Sequence, residues 1–323
     1  MKAIITGGAG FIGSNLADAL LARGDEVVAV DNLSAGHREF FAHNLNNPKY
    51  QFVQLDLKDA DATRQAFACH ADIVFHFAAN ADVKGGTANP TVDLREGCMV
   101  TSNVLEAMRA NNIKKIAYSS TGSVYGEPEI FPTPEDAPFP IQTSMYAASK
   151  LYGEGLIQSY CEGYGFQCWI FRFVSIMGER YTHGVVFSFY QQLLQKGEIT
   201  FLSDGTPQKS YLYVGDCVRA MLHAIEHAKE KVNRLNLGTP EEITVNEIAE
   251  IVLERLGKPG TRIIKGSQPR GWVGDSPHIL LDVKKMMALG WKPQLTIKEA
   301  ILRTVDWLEQ NQWALGEQYF RRK

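Results

Sequence analysis

Short apolar runs alternate with helical patterns along the first half of the chain. Nearly continuous apolar stretches predict strands at residues 2–6, 26–30, 51–54, 73–77, 115–119 and 168–173, and a seventh at 234–237. Apolar residues at helical spacing predict helices at residues 11–23, 97–111 and 144–164, with weaker ones near 35–45 and 60–68. Buried strands that alternate with helices are typical of a parallel sheet with both faces covered. This half is therefore predicted to form a Rossmann-like, doubly wound α/β domain.

The alternation loosens after Phe173. The later pattern predicts helices near 186–196, from 244 to about 257 and from about 297, a short strand at 199–202 and an irregular segment at 257–277. We expect these pieces to form a smaller, discontinuous α/β domain that binds the substrate. The predicted Rossmann domain comprises residues 1–174 and about 213–240, and the predicted substrate domain comprises about 175–212 and 241–323.

Composition narrows the class of function. The 323 residues are 45% hydrophobic, which is ample for a buried core, and the formal net charge is only −3. Such a balance gives no reason to expect nucleic acid or a membrane surface as a partner, and no apolar run approaches the roughly 20 residues that span a bilayer. The five cysteines are scattered without metal-site or disulfide spacing, so we expect free thiols, no bound metal and a cytoplasmic protein.

A glycine-rich loop joins the first predicted strand to the first predicted helix. Gly7 permits a tight turn, Gly10 allows a phosphate to approach the backbone, and Gly13 allows the helix to pack against the strand. The helix begins at Phe11 and Ile12, where free backbone N–H groups point at an anion. The spacing is Gly-x-x-Gly-x-x-Gly, and the strand before it and the helix after it are the context that a dinucleotide site requires.

Asp31 ends the second predicted strand. A carboxylate there accepts hydrogen bonds from the adenosine ribose hydroxyls and repels a 2′-phosphate, and no arginine follows it. The sequence therefore predicts NAD rather than NADP as the cofactor. Other predicted cofactor contacts follow the strands further along the chain: Asn32, Asp56, Leu57, Phe77, Ala78, Ala79 and Ser119.

Tyr146 and Lys150 lie four residues apart on a predicted helix, so both side chains face the same side. A nearby ammonium and a positive nicotinamide ring would lower the pKa of the tyrosine phenol and make it a base at neutral pH. Thr121, at the end of the fifth predicted strand, can hydrogen-bond the substrate oxygen. We predict that Thr121, Tyr146 and Lys150 are the catalytic residues, and that Tyr146 and Lys150 also contact the cofactor.

Several motifs together resemble the extended short-chain dehydrogenase/reductases, in their NAD-dependent nucleotide-sugar epimerase and dehydratase branch. They are TGGAGFIG, HFAAN, SSTGSVYG, YAASK and SYLYVGD, in one order from residue 2 to about 307. Within that family the chain is most similar to the UDP-glucose 4-epimerase-like group. The resemblance implies a Rossmann domain with tightly held NAD, a C-terminal nucleotide-sugar domain, a UDP-sugar substrate and a homodimer.

The resemblance also bears on the reaction. Family dehydratases carry an Asp-Glu pair where this chain has Gly122 and Ser123, and decarboxylases often carry a Glu at the second position. The chain is therefore expected to be an isomerase, a nucleotide-sugar 4-epimerase of UDP-glucose/UDP-galactose type. In the implied mechanism Tyr146 removes the 4-hydroxyl proton, hydride passes to NAD, and the transient 4-keto sugar turns over before hydride returns to its other face.

Three positions depart from the family pattern, namely Gly97 and Ser175, each in place of Asn, and Lys209 in place of Arg. Lys209 can still meet a diphosphate as a point charge, and Arg270 is a second candidate for the diphosphate. The predicted substrate contacts are Lys84, Thr121, Ser123, Tyr146, Ser175, Val185, Phe201, Lys209 and Arg270.

Other functions stay open at the level of sequence. The sugar can be an N-acetylhexosamine or a uronic acid, because that choice depends on the volume of the pocket. A reductase of 4-keto nucleotide sugars would need an exchangeable cofactor, often NADPH, which Asp31 disfavours. A regulator that only binds a dinucleotide would have no use for Thr121, Tyr146 and Lys150.

Overall fold

A seven-stranded parallel sheet is the centre of the molecule. The computed structural model describes residues 1–80, 82–83, 85–138, 141–257 and 260–316. Its strands are β1 Lys2–Thr6, β2 Glu26–Asp31, β3 Tyr50–Gln54, β4 Ile73–His76, β5 Lys115–Thr121, β6 Gln167–Phe173, β7 Ser175–Met177, β8 Glu198–Thr200, β9 Gln208–Lys209, β10 Tyr211–Tyr213, β11 Val232–Leu237, β12 Ile243–Thr244, β13 Arg262–Ile264 and β14 His278–Ile279.

Helices cover both faces of this sheet and continue beyond it. They are α1 Phe11–Ala22, α2 Ala60–Ala66, α3 Gly85–Ala88, α4 Thr91–Asp93, α5 Val100–Ala110, α6 Met145–Tyr164, α7 Gly184–Lys196, α8 Val214–His227, α9 Val245–Leu256, α10 Lys284–Ala288 and α11 Ile297–Gln310. Short 3₁₀ segments lie at Arg38–Phe40, Ala42–Asn44, Gly122–Tyr125 and Gln312–Leu315, and a π-helical turn lies at Leu94–Met99.

The strand order of the main sheet is β11-β6-β5-β4-β1-β2-β3, and every neighbouring pair is parallel. The order reverses direction between β1 and β4, and ligands of such sheets bind outside the carboxyl ends of the strands at this point. The fold class predicted from the sequence, a Rossmann-like doubly wound sheet, is confirmed.

Two apolar cores hold the helices on the sheet. One face buries Leu16 and Leu20 of α1 with Val218 and Met221 of α8. The other face buries residues of α5 and α6, for example Val104. The inner strands β1, β2 and β4 contribute alternate side chains to the two cores, which explains why their sequences are apolar almost throughout.

A third apolar core lies among α7, α9 and α11 and three small sheets, β10-β7, β12-β9-β14 and β13-β8. α9 and α11 begin in the same way. The side chains of Thr244 and Thr296 each accept a hydrogen bond from the backbone nitrogen three residues later. The carboxylates of Glu247 and Glu299 in turn accept one from the backbone nitrogen of these threonines. This capping box fixes where each helix starts.

The structure changes several predicted elements. The weak helix near 35–45 is wrong, because the chain there forms only the 3₁₀ turns Arg38–Phe40 and Ala42–Asn44. Helix α8, Val214–His227, was not predicted, although its apolar residues recur at helical spacing and are buried in the first of these cores. The predicted helix at 97–111 is preceded and partly replaced by the π-helical turn Leu94–Met99.

Two negative findings concern the described part of the chain. Within it, no helix is long and apolar enough to cross a membrane. The same residues contain no group of three or more His, Cys, Asp or Glu side chains placed to hold a metal ion. All five cysteines are free thiols, as the sequence predicted.

Candidate active site

A cleft of about 450 Å³ runs along the carboxyl ends of β1, β2, β4, β5 and β6. Every residue predicted to contact the cofactor lines it, from Gly7 to Lys150. Five of the predicted substrate contacts line the same cleft: Thr121, Ser123, Tyr146, Ser175 and Lys209. The sheet topology thus gathers residues that lie far apart in the sequence.

The glycine loop has the geometry of an anion cradle. Gly7 has a φ of +72°, and a Cβ there would lie 2.9 Å from the backbone nitrogen of Ala78. A Cβ at Gly13 would lie 2.2 Å from the carbonyl oxygen of Gly7, so only glycine lets α1 approach the loop this closely. No side chain caps the start of α1, and its first turn contains no acidic residue. The positive end of the helix is therefore available to a pyrophosphate, and the residues present fit a dinucleotide.

Asp31 lies at the end of β2, next to the glycine loop. One carboxylate oxygen accepts a hydrogen bond from the backbone nitrogen of Ala9 at 3.0 Å, and the other accepts one from Leu33 at 2.8 Å. Burial raises the pKa of Asp31, and these two hydrogen bonds oppose that shift. The bonds hold the carboxylate in place, and its remaining lone pairs can accept the hydroxyls of a ribose.

Tyr146 and Lys150 meet the end of β5 in the deepest part of the cleft. Ser144 caps α6 by accepting a hydrogen bond from Ala147, which fixes the start of the helix next to Tyr146. Lys150 Nζ donates to the Ser119 carbonyl oxygen at 2.7 Å and to Ser119 Oγ at 3.3 Å. It also lies 5.7 Å from the centre of the Tyr146 ring. The lysine is therefore held by the strand while it faces the tyrosine.

The protein's own groups shift the pKa of Tyr146 in the direction opposite to the one predicted from the sequence. Burial raises the pKa of Tyr146 to about 12, and the charge of Asp93 adds to this. Burial also lowers the pKa of Lys150 to about 7, which Asp93 opposes. The predicted lowering of the tyrosine pKa therefore has to come from positive charge beside the phenol, which the Lys150 ammonium supplies when it is protonated and a bound nicotinamide ring would increase.

Thr121 and Ser123 form the floor of the cleft beside the tyrosine. Thr121 Oγ1 accepts a hydrogen bond from the Ser123 backbone nitrogen at 3.2 Å and lies 3.3 Å from Ser123 Oγ. Between them, a Cβ at Gly122 would lie 3.3 Å from both a Leu281 methyl group and the Phe173 carbonyl oxygen. This tight packing leaves little space for an acidic side chain at position 122.

The far wall of the cleft combines Lys209, which was predicted, with Trp272, Asp275 and Ser276, which the sequence analysis did not identify. Lys209 Nζ pairs with the buried Asp275 carboxylate at 2.6 Å and lies 5.7 Å from the centre of the Trp272 ring. Trp272, Asp275 and Ser276 all line the cleft. They follow β11 by more than thirty residues and belong to no motif, so only the three-dimensional structure brings them to the site.

Four predicted substrate contacts are not part of the described cleft lining. Phe201 is a core residue, 3% exposed, and stacks on Phe189, and Val185 packs on the same apolar core. Arg270 points to the surface and pairs with Glu127. Lys84 lies outside the residues that the structure describes. The placement of the first three does not support direct contact with a ligand in this cleft.

A buried ion pair lies beneath α6, the helix that carries Tyr146 and Lys150. Arg172 of β6 donates to both carboxylate oxygens of Glu154, at 2.9 and 2.7 Å. Glu154 also accepts a hydrogen bond from the Ser120 hydroxyl, and Arg172 donates to Tyr125 Oη at 2.8 Å. Because Glu154 follows Lys150 by one turn of α6, this network fixes the helix to the strand that ends in Thr121.

Comparison with known proteins agrees with this geometry. The sequence profile of the NAD-dependent epimerase/dehydratase family matches residues 3–238. The chain belongs to this family. The match ends shortly after β11, so the family profile covers the main sheet and the catalytic helix but not the wall that contains Trp272 and Asp275.

Individual family members are similar over nearly the whole chain. A UDP-glucose 4-epimerase from Mycolicibacterium smegmatis is 34% identical over 312 residues, which is 95% of this chain and 98% of the relative. The crystal structure of the Thermus thermophilus UDP-glucose 4-epimerase in complex with NAD is 34% identical, with a TM-score of 0.85 and coverage of 96% and 99%. A dTDP-glucose 4,6-dehydratase structure from Streptomyces venezuelae is 26% identical, with a TM-score of 0.90 and coverage of 99% and 100%.

These similarities show that the family fold accommodates more than one reaction. The backbone of this chain is at least as similar to the dehydratase structure as to the epimerase structure. The backbone therefore does not distinguish the two reactions, and the side chains have to. Of the two positions considered above, Ser123 lines the cleft and Gly122 is buried beside it.

Proposed function

We propose that the protein is an NAD-dependent nucleotide-sugar 4-epimerase of UDP-glucose/UDP-galactose type. The observation that carries the proposal is the composition of the cleft floor. Tyr146, Lys150 and Thr121 line the cleft and supply a base, a cation and a hydroxyl, whereas Ser123, which also lines it, and the neighbouring buried Gly122 supply no carboxylate. Elimination of water from a sugar needs an additional acid and base, but epimerisation at one carbon does not.

The proposed roles follow from the positions of the side chains. NAD supplies the hydride acceptor and donor when it is bound. Tyr146 takes the proton of the sugar hydroxyl and later returns it, while Thr121 Oγ1 hydrogen-bonds the same oxygen. Lys150 keeps a positive charge beside the phenol, which favours its ionised form. Ser119 positions Lys150 through the hydrogen bond to its carbonyl oxygen.

The cofactor would lie across the topological switch between β1 and β4. The turn at Gly7, Gly10 and Gly13 and the start of α1 would hold the pyrophosphate. Asp31 would bind the adenosine ribose, and Lys150 the nicotinamide ribose. Both are held by hydrogen bonds within the protein before any ligand arrives, and such preorganisation lowers the cost of binding.

The sugar nucleotide would occupy the side of the cleft formed by Ser175, Lys209 and Trp272. This supports the predicted division into a cofactor domain (1–174 and about 213–240) and a substrate domain (about 175–212 and 241–323). Lys209 offers a positive charge for a diphosphate, although it must share that charge with Asp275. A UDP-N-acetylhexosamine or a UDP-uronic acid is the alternative substrate, because both need the same catalytic residues.

The experiment is an incubation of the purified protein, without added cofactor, with UDP-hexoses, UDP-N-acetylhexosamines and UDP-uronic acids. Products are separated by chromatography and weighed by mass spectrometry. A new peak of unchanged mass identifies an epimerase with resident NAD and names its sugar. Loss of water or carbon dioxide overturns the assignment from Gly122 and Ser123, and turnover that requires added NADPH indicates a reductase.

We also propose that the enzyme is a homodimer that uses the exposed face of α6. Met145 and Tyr152 lie seven residues apart on this face, and Met99 lies close by; these side chains are 53%, 44% and 48% exposed. Tyr152 Oη lies 3.0 Å from Ser102 Oγ, which places α5 and α6 side by side on this surface. A cytoplasmic location stays a prediction of the sequence.

A further inference from the structure

Asp93 is a buried carboxylate beside the catalytic helix that the proposed mechanism does not use. It ends α4, is 2% exposed, and precedes the π-helical turn Leu94–Met99, which packs against α6. Its Oδ1 accepts a hydrogen bond from Asn80 Nδ2 at 3.1 Å. Its Oδ2 is buried and has no hydrogen-bond partner in the part of the chain that the structure describes. π-Helical turns often occur at functional sites.

The surroundings hold this carboxylate in a narrow space. Gly86 lies over it, and a Cβ at that position would approach Asp93 Oδ2 to 2.5 Å. Asn80, which binds the other oxygen, lines the cleft. Asp93 is therefore linked to the cleft lining through Asn80, in a segment that packs against α6, the helix that carries Tyr146 and Lys150.

Asp93 and Lys150 act on each other electrostatically. Burial raises the pKa of Asp93, and the Lys150 charge opposes that shift. Burial lowers the pKa of Lys150 to about 7, and the Asp93 charge opposes that shift in turn. Each one favours the charged form of the other.

Among the described residues, the other titratable groups near this pair do not supply the same charge, and the Glu154 carboxylate, one turn further along α6, is paired with Arg172. His76 faces Lys150, but burial lowers its pKa to about 3, so it is neutral. Tyr118 lies with its ring centre 4.9 Å from Lys150 Nζ, and Tyr146 is neutral at neutral pH. Asp82 is exposed and acts on Asp93 rather than on Lys150.

Close packing at Gly97 holds the segment that follows Asp93 against α6. A Cβ at Gly97 would lie 2.7 Å from Ser149 Oγ, so the π-helical turn and α6 are packed with no side chain between them there. One turn earlier on the same segment, Asp93 is a buried carboxylate with one unpartnered oxygen, and both α4 and the π-helical turn pack against α6.

We propose that Asp93 is a positioning residue for the proposed epimerase, whose buried carboxylate keeps Lys150 positively charged beside Tyr146. This inference rests on the proposed function. Without the carboxylate, Lys150 loses its proton at a lower pH, and the phenolate of Tyr146 loses the charge that stabilises it.

The first test reads the charge of Lys150 without any turnover. Protein is prepared with lysine labelled with ¹³C at Cε, and the Lys150 signal is identified by its loss in Lys150→Met. The signal is followed from pH 5 to pH 10 in the unchanged protein, in Asp93→Asn and in the control Asp82→Asn. The Asp93→Asn midpoint should move down by about one pH unit, and that of Asp82→Asn should not move down. An unchanged Asp93→Asn midpoint overturns the proposal.

The second test separates positioning from a purely structural role. Asp93→Asn should lower kcat above neutral pH, with KM for the sugar nucleotide unchanged, and the high-pH limb of the kcat profile should move down with the Lys150 midpoint. A uniform loss of activity at every pH, with a lower melting temperature, indicates a structural role and overturns the proposal.

A further variant covers the case in which Asp93→Asn does not fold. Gly86→Ala keeps an aspartate at position 93. The added methyl group would lie 2.5 Å from Oδ2, so the carboxylate must shift. The Lys150 midpoint should then shift, and no shift contradicts the proposal. If the unchanged protein turns over none of the sugar nucleotides, the proposed function fails, whereas the labelled-lysine titration still decides whether Asp93 controls the charge of Lys150.

Discussion

Arg172 and Glu154 form a two-point ion pair, with both guanidinium–carboxylate contacts shorter than 3 Å and both side chains buried. The pair joins β6 to α6, one turn from the catalytic lysine. Burial of two charges is costly, and here the cost is offset by the paired geometry and by the additional bonds to Ser120 and Tyr125.

Removal of one partner from this pair should destabilise the protein strongly. We expect Glu154→Leu to lower the free energy of unfolding by about 3–5 kcal/mol, because it leaves the Arg172 charge buried and uncompensated. Urea unfolding measures the change. The double variant Glu154→Leu/Arg172→Met should recover much of the loss. The exposed pair of Asp61 and Arg64 is the control, and Arg64→Met should have a far smaller effect. Equal effects of the single and double variants would contradict this account.

Tyr146→Phe should abolish turnover but leave the cofactor bound. The variant lacks the hydroxyl that takes the substrate proton, and loss of a general base costs about 10²–10⁴-fold in rate. The measurement is epimerisation of the sugar nucleotide, with released nucleotide quantified after denaturation. Tyr164→Phe, at the exposed end of the same helix, is the matched control and should retain activity. Retained activity in Tyr146→Phe would exclude the tyrosine as base.

The buried Lys150 should make stability depend on pH. The pKa of this residue falls from 10.5 to about 7 on folding, so between these values the unfolded chain binds more protons than the folded protein. Stability is therefore gained as pH rises from about 7 towards 10.5 and lost as pH falls through this range. Lys150→Met removes this dependence.

Thermal and urea unfolding of the two proteins at pH 7 and pH 10 measure that effect. The free energy of unfolding of Lys150→Met, relative to that of the unchanged protein, should fall by about 4 kcal/mol as the pH rises from 7 to 10. The exposed Lys196 supplies the control, since Lys196→Met should give the same difference at both pH values. A stability difference that does not change with pH would show that Lys150 stays charged in the folded protein.

Asp31→Asn should weaken the preference for NAD over NADP. The substitution removes the negative charge that repels a 2′-phosphate, while the amide oxygen can still accept one of the hydrogen bonds from Ala9 or Leu33. We expect NAD affinity to fall by about tenfold, the effect of losing roughly one charge-assisted hydrogen bond, and NADP affinity to rise. Isothermal titration of nucleotide-free protein measures both. Asp61→Asn, far from the cleft, should change neither.

A charged substitution on the exposed face of α6 should dissociate the proposed homodimer. Met145→Glu with Tyr152→Glu would place two carboxylates within the interface, where burial without partners is unfavourable. Light scattering after size-exclusion chromatography should then report about half the mass of the unchanged protein. A monomeric mass for the unchanged protein would rule out this dimer.

The parts of the site that could be predicted from sequence are those that lie within a single short segment. Tyr146 and Lys150 are one helical turn apart, and the glycine loop with its flanking strand and helix is continuous in the chain. Their geometry follows from local structure alone. Asp31 could be predicted because it ends a strand, and parallel strands end at one edge of the sheet.

The remaining parts depend on contacts between distant segments. Asp93 becomes a buried neighbour of Lys150 only because the π-helical turn packs on α6. Lys209 meets Asp275 across 66 residues of sequence. Phe201 and Arg270 show the reverse case. Each has suitable chemistry for a ligand, but Phe201 packs in the core against Phe189 and Arg270 pairs with Glu127.

The family profile ends at residue 238, between segments that line the cleft. The chemistry of proton transfer is encoded before residue 238, in a helix and strand held together by Glu154 and Arg172. The opposite wall is encoded on both sides of this point, with Lys209 before it and Trp272 and Asp275 after it. If this wall selects the sugar nucleotide as proposed, substitutions there change which one is accepted while Tyr146 and Lys150 stay in place. Redesign of the specificity would therefore exchange Lys209 together with the segment after β11, because the ion pair between Lys209 and Asp275 joins the two.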